Sequence, residues 1–321
     1  QDPEREVRRA PAFAAGISGD RRLAPLLART LADPDPETAA AAATSLGRLG
    51  GEGAERSLRG VLAGPAGGPR KAAAGALFRV RDPDVVPLLA AALGGQDPGT
   101  REAAAYSLSR NPRPGSEALL RRLLDDADPT IASWAARGLG ILGDAVSAER
   151  LVALARGPEA GPAIQALLAL ERIAAKGMSA PAREAGLARW RDARPGVAVA
   201  ALTLLRRAPG DAEVVAALAQ AVAMGGRRGG VALASLAALD PAAARALAFP
   251  PGGAPLELRL GAAEAISLVP EDEQAAWLDL LLADPVPRVR MEAVSRLPRE
   301  EAARHASRLV RALGDPDRAV K

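Results

Sequence analysis

Six of the nine Asp-Pro dipeptides in this chain fall at a nearly fixed interval, at Asp2-Pro3, Asp33-Pro34, Asp97-Pro98, Asp128-Pro129, Asp284-Pro285 and Asp315-Pro316. Successive separations are 31, 64, 31, 156 and 31 residues, which read as one, two, one, five and one steps of about 31 residues. Gly64-Pro65 fills the anchor missing from the two-step interval. Gly157-Pro158, Arg194-Pro195 and the Gly-rich stretches near Gly226 and Gly253 divide the long one. The anchor has a physical meaning. An Asp carboxylate accepts a bond from an orphan N–H at a helix start, and Pro suits the first helical position because its missing N–H has no partner there anyway. Each Asp-Pro is therefore expected to open a helix.

One period holds two helices. After Asp2-Pro3, Val7, Ala10 and Phe13 share a face, a break follows at Gly16 to Asp20, and Leu23, Leu26, Leu27 and Leu31 come next. The break recurs at Gly47 to Gly53, Asn111 to Gly115 and Gly140 to Asp144. Leu58 and Leu62 hold the same offsets from Asp33 that Leu27 and Leu31 hold from Asp2, and Leu309 and Leu313 hold them from Asp284. Positions four apart share a helical face, so each pair is expected to be buried by the next unit stacking on it. The chain has only three Phe, three Trp and one Tyr, so the core falls to Ala, Leu and Val. Small side chains let helices approach closely, and Ala and Leu favour the helix.

Asp-Pro, then Val-Arg, then small residues, then Leu-Gly, then a Leu-rich second helix resembles HEAT repeats of the short bacterial, phycobilisome-lyase-like kind. Asp2-Pro3 with Val7-Arg8, Asp284-Pro285 with Val289-Arg290, and Asp33-Pro34 with Leu46-Gly47 and Leu49-Gly50 carry the resemblance. It implies an all-α fold: an alpha-alpha superhelix, or armadillo-like HEAT-type solenoid, of about ten helix-turn-helix units in a single domain over residues 1–321. Repeats are regular over 1–157, degenerate over 158–255 and regular again over 256–321. The last is incomplete, since Asp315-Pro316 opens a helix that the chain does not finish; this suggests a protein that continues past Lys321 or lacks a capping element. Asp2 with Arg8, and Asp284 with Arg290, are expected to form a ladder of bonds between units.

Charge is mixed rather than extreme. There are 42 basic and 38 acidic residues, a net +4; all but Lys71, Lys176 and Lys321 of the basic ones are Arg, which lifts the isoelectric point without making a polycation. The absence of Cys excludes disulfides and thiolate chemistry and leaves the compartment open. No apolar run reaches the roughly 18 residues that span a bilayer. The chain begins at Gln1 without an initiator Met, the mark of a processed product or an excerpt. Cytoplasmic placement is slightly favoured and export is compatible.

Enzymatic equipment is thin. His305 is the only histidine; inside a predicted helix from Ala302 to Leu313 it reads as a solvent-facing residue rather than a base. HEAT enzymes that bind iron carry His-Glu pairs, whereas Ala306 follows His305 here. The trio Asp125, Asp126 and Asp128 reads as capping and solvation rather than a metal site. Gly64 to Gly68 and Gly225 to Gly230 lack the Gly-Lys-Ser/Thr of a phosphate loop and read as inter-repeat loops. The family's bilin-attaching members do not extend that activity to every repeat array. No catalytic residue, cofactor or metal is assigned.

From Arg172 to Leu260 there are 12 basic against six acidic residues, in the stretch where the repeat weakens. Arg189, Trp190, Arg191, Arg194, Arg206, Arg207, Arg227 and Arg228 are accordingly the candidate partner-binding residues, able to fork onto carboxylates or stack. The alternative for Trp190 is to plug an irregular junction; Trp134 and Trp277, among Ala and Leu, are expected in the core. The leading function is a non-catalytic protein-interaction scaffold that holds another protein, acidic where it meets these arginines, on a concave surface of second helices. The alternative is a nucleic-acid-binding HEAT-like protein using the Arg-rich middle segment.

Overall fold

The protein is described by a computed structural model covering residues 3–64, 68–80, 85–208, 211–250 and 253–320. Among these residues are 21 α-helices, five short 3-10 turns and no strand. The chain divides into two compact units, residues 1–154 and 155–321.

Helices alternate as first and second members of each repeat. In the first unit the pairs are α1 (Pro3–Ser18) with α2 (Ala24–Thr30), α3 (Pro36–Leu49) with α4 (Glu52–Ala63), α5 (Gly68–Ala76) with α6 (Val85–Leu93), α7 (Pro98–Arg110) with α8 (Glu117–Leu123), and α9 (Pro129–Leu142) with α10 (Ala148–Arg156), the unit boundary falling in the last turn of α10. The second unit continues with α11 (Ala160–Ile173) and α12 (Ala180–Arg189), α13 (Pro195–Leu205) and α14 (Ala212–Ala223), α15 (Gly226–Leu239) and α16 (Pro241–Ala248), and α17 (Leu256–Ala265) and α18 (Glu271–Leu282). Its last repeat is α19 (Pro287–Arg296) with a second helix broken into α20 (Arg299–Ala302) and α21 (Ala306–Ala312). First helices pack in series, α1 on α3, α5, α7 and α9, and α11 on α13, α15, α17 and α19. Within each unit, second helices also rest on the first helix of the following repeat.

Asp starts many of these helices, though not always the Asp expected. Asp97 and Asp128 cap α7 and α9 with Pro in the first turn, accepting from Thr100 N at 3.2 Å and Thr130 N at 2.8 Å. Asp35 caps α3 and Asp240 caps α16 in the same way. Asp33 and Asp284 do not cap: their helices begin later, and each carboxylate turns the chain by accepting from the N–H two residues on, Asp35 N at 2.9 Å and Val286 N at 2.8 Å. Asp315 accepts from Asp317 N at 2.8 Å in the same manner, and Asp126 from Asp128 N at 3.0 Å. Asp2 and Pro65 lie outside the described residues.

These turn carboxylates have a second task. Each receives an Arg from the first helix of its own repeat: Arg8 to Asp33 at 2.9 Å, Arg101 to Asp126 at 2.7 Å, Arg259 to Asp284 at 2.5 Å and Arg290 to Asp315 at 2.7 Å. The same guanidinium often reaches back to the preceding turn, Arg101 to Leu93 O, Arg259 to Ala254 O and Arg290 to Asp284 O. The expected ladder thus exists with other rungs. Arg290 meets the Asp284 carbonyl, because the carboxylate is already held by Arg259.

Packing explains the small residues. Leu27, Leu58 and Leu62 are buried as expected; Leu31 and Leu309 are half-buried and Leu313 is exposed, since no described helix follows α21 to cover it. Gly16 is not part of a break but sits inside α1 against Ser45, and the turn falls at Gly19. Gly229 and Gly230 likewise belong to α15 rather than to a loop. At the crossing of α15 and α17 a Cβ on Gly261 would stand 2.6 Å from the Cα of Gly230, so α17 has no room for a side chain there. Gly261→Val is expected to destabilise the second unit by about 2 kcal/mol, the usual cost of overpacking, measured as a shift of the urea midpoint.

Candidate functional site

The Arg-rich segment is built around the junction between α12 and α13. Ser179 caps α12, and the chain leaves it through the buried Trp190 and turns on Asp192, which accepts from Arg194 N at 2.9 Å. The Asp192 carboxylate is also clamped by the Arg194 guanidinium, at 2.9 and 3.0 Å, and by Arg189 at 3.2 Å. The Arg194 bond, with Arg189 assisting, holds this carboxyl well below the usual carboxylate range. Arg189 continues to Gly157 O at 3.2 Å and Arg194 to Pro158 O, so the turn before α11 is tied to the turn before α13. Arg228, from α15, closes on Asp192 O at 2.8 Å and Ala193 O at 3.4 Å.

The other candidates form separate groups. Arg191 lies over the Trp190 ring, 4.4 Å from its centroid, and donates to Gln220 Oε1. Arg206 and Arg207 converge on Glu171 Oε1 at 2.6 and 2.7 Å. Burial pushes the Glu171 carboxyl up, but the bonds from Arg206 and Arg207 outweigh it and leave it lowered. Arg227 alone is exposed with no partner among the described residues. The structure therefore gathers Arg189, Arg194 and Arg228 at Asp192, and Arg206 and Arg207 at Glu171. It does not assemble all eight residues into one surface.

The local positive excess is answered from outside its window. Glu171 precedes it, and Glu273 and Asp284 follow it, receiving Arg245 at 2.6 Å and Arg259 at 2.5 Å. The signal that finds Asp192 is Asp-x-x-Pro, shared by Asp33-Pro36, Asp126-Pro129, Asp192-Pro195 and Asp284-Pro287, rather than Asp-Pro alone.

Other expected positions are placed as follows. His305 is buried, not solvent-facing: the chain turns over Ala303 to His305, and the ring inserts against α18 with Nε2 3.3 Å from Gln274 Oε1. Gln274 in turn donates to Glu301 at 2.7 Å and to Val269 O at 3.2 Å, which fixes its amide and explains why one predicted helix is two. Asp125 pairs with Arg150, Asp126 with Arg101, and Asp128 caps α9. Trp277 is fully buried with its ring edge-on to Phe249; Trp134 is only half-buried, the end of an edge-to-face row with Tyr106 and Phe78 that runs along successive repeats. Among the described residues no group of acidic residues and His is placed to hold a metal ion, and no helix is long and apolar enough to cross a membrane.

Ion pairing across repeats sets an acid limit. Arg183 holds Asp211 at 2.8 Å, with the Val214 N–H assisting, and the Asp211 carboxyl falls from 3.8 to about 2. A carboxyl depressed in the folded state contributes stability above its unfolded value and loses it as pH falls through the folded one. Unfolding midpoints are thus expected to drop between about pH 4 and about pH 2, and Asp211→Asn to make that drop shallower, as read from urea titrations across the range.

A family model of HEAT repeats matches residues 1–77 and 86–171. No curated protein is significantly similar in sequence. Among solved structures, a structural-genomics engineered protein is 21% identical, with 91% of this chain and 92% of that chain covered and a TM-score of 0.51. The X-ray structure of YibA from Escherichia coli is 16% identical, with 85% and 92% covered and a TM-score of 0.53. Both likenesses are of fold. Paired helices stacked through Arg–Asp latches, and a repeat match over half the sequence, place this chain in the HEAT-repeat family.

Proposed function

We propose that this protein is a non-catalytic scaffold that holds a protein partner along the face formed by its second helices. HEAT arrays commonly serve as interaction surfaces, and the reading rests on where this one leaves open space. One recess, about 460 Å³, lies between the successive second helices α2 and α4, lined by Ala28, Leu31, Val61 and Arg70 among others. Another, about 230 Å³, lies between α18 and α21. Four first helices, by contrast, each spend an arginine on a latch within the array. The sole histidine is buried against Gln274, which supports a reading that requires no catalytic base.

The nucleic-acid alternative draws little from the Arg-rich segment. Seven of its eight candidates are buried or bonded to carboxylates, carbonyls or Gln220 within the protein, leaving Arg227 to meet a phosphate. Titration with duplex DNA at two salt concentrations is expected to show no salt-dependent binding. A photo-crosslinking residue at Arg29 or Arg56, on α2 and α4, is expected to capture protein in producing cells well above the same residue at Ile141 on α9. Equal capture at both faces would remove the scaffold assignment to the second helices.

A further inference from the structure

Six first helices carry an Arg near their start at the latch position: Arg8, Arg70, Arg101, Arg228, Arg259 and Arg290. Four close on the Asp that turns the chain into the next repeat, and all four pairs have the same separation in sequence. At that separation Arg228 has Gly253, and it turns instead to Asp192 O. Arg70 has Gly95, which stands in the run Gly95-x-Asp97-Pro98 where Asp126 stands in Asp126-x-Asp128-Pro129.

The geometry agrees with the alignment. Nη2 of Arg70 lies 3.9 Å from the point where a Cβ on Gly95 would be, so the guanidinium points at the place of the missing carboxylate. Its Nε is buried with no hydrogen-bond partner, and it makes no ion pair among the described residues. The nearby acid Asp97 is turned to cap α7 and bonded to Thr100, so it feels the charge of Arg70 without bonding it. Among the described residues, Arg70 is also the one ionisable group lining the recess between α2 and α4, whose other walls include Leu31, Val61, Ala28 and Gly60. Arg29 and Arg56 are exposed on the same two helices and make no ion pairs among the described residues.

We infer that this recess binds an aspartate side chain of a partner protein, presented in an aliphatic segment, and that Arg70 receives it in place of the carboxylate that Gly95 does not supply. The chain itself shows what fits: its own latches take Asp at the end of a Leu-rich helix, twice in the form Leu-Ala-Asp-Pro, at Leu31 to Pro34 and Leu282 to Pro285. A half-buried guanidinium whose Nε is buried without a partner gains most from a charged, forked acceptor, and the apolar walls accept the flanking leucine. The inference rests on the scaffold reading and deepens it by naming a site and the chemistry of its occupant.

The test uses the full chain and a fluorescein-labelled, C-terminally amidated peptide containing Leu-Leu-Ala-Asp-Pro, followed by fluorescence anisotropy. The Asp peptide is expected to bind at least about tenfold more tightly than its Asn counterpart, a comparison that needs no protein variant. Arg70→Gln is expected to erase that difference. Gly95→Asp, which supplies the carboxylate internally, is expected to erase it while circular dichroism stays unchanged. Equal affinity for the Asp and Asn peptides, or retention of the preference in either folded variant, overturns the inference. Crosslinking to a partner at Arg56 would still stand in that event, so the scaffold reading survives or falls separately.

Discussion

A short amphipathic helix cannot keep its apolar stripe dry alone, and every other feature of this protein follows from burying one such stripe against the next. The stripes are made of Ala and Leu, so helices come together on Cβ atoms and, where α15 crosses α17, on bare glycine. Close approach multiplies weak dispersion contacts while aromatic rings remain few, and it leaves little tolerance for added volume. The cost of that economy appears where no described helix covers a stripe, as at Leu313, which has the sequence of a core residue and the exposure of a surface one.

Apolar stripes fix adjacency but are poor at fixing register, and the Arg–Asp latches supply it. One carboxylate both turns the chain, through a nearby N–H ahead of it, and receives a guanidinium from the helix that opened its repeat. A helix that slid by one turn would lose the guanidinium bond and leave partly buried charges unpaired, which is far more costly than the pair is favourable. Asp192 shows the arrangement adapted where the pattern weakens: its arginines come from nearby in sequence, Arg189 and Arg194, and a third arrives at its carbonyl from α15.

Much of this was readable from the residues alone, because a recurring anchor and leucines four apart report directly on helices and stacking. Asp97 and Asp128 read correctly as caps. Asp33 and Asp284 did not, since a capping Asp and a turn-forming Asp look alike locally, and the helices that follow these two begin only at Pro36 and Pro287. The charge excess over Arg172 to Leu260 is partly answered from outside that window, which counts Arg206, Arg207 and Arg245 but not Glu171 and Glu273, their partners beyond its ends. His305 was illegible because burial of one imidazole depends on Gln274, a full repeat away in sequence, and on a helix break that no Gly marks. Arg70 carries no local signal at all; what distinguishes it is an absence at Gly95, visible only against the other latches.

Side-chain bonds between repeats in this protein join residues about one repeat apart, from Arg121 with Asp144 to Arg228 with Asp192. Among the described residues no bond of this kind spans the length of a unit. Folding therefore closes only small loops, and each repeat can form as soon as its neighbour exists. For the lineage that carries it, such wiring makes the repeat a portable module: a copy inserted or deleted between two turns brings its own Arg and Asp with it, so the array can change length without rewriting what remains.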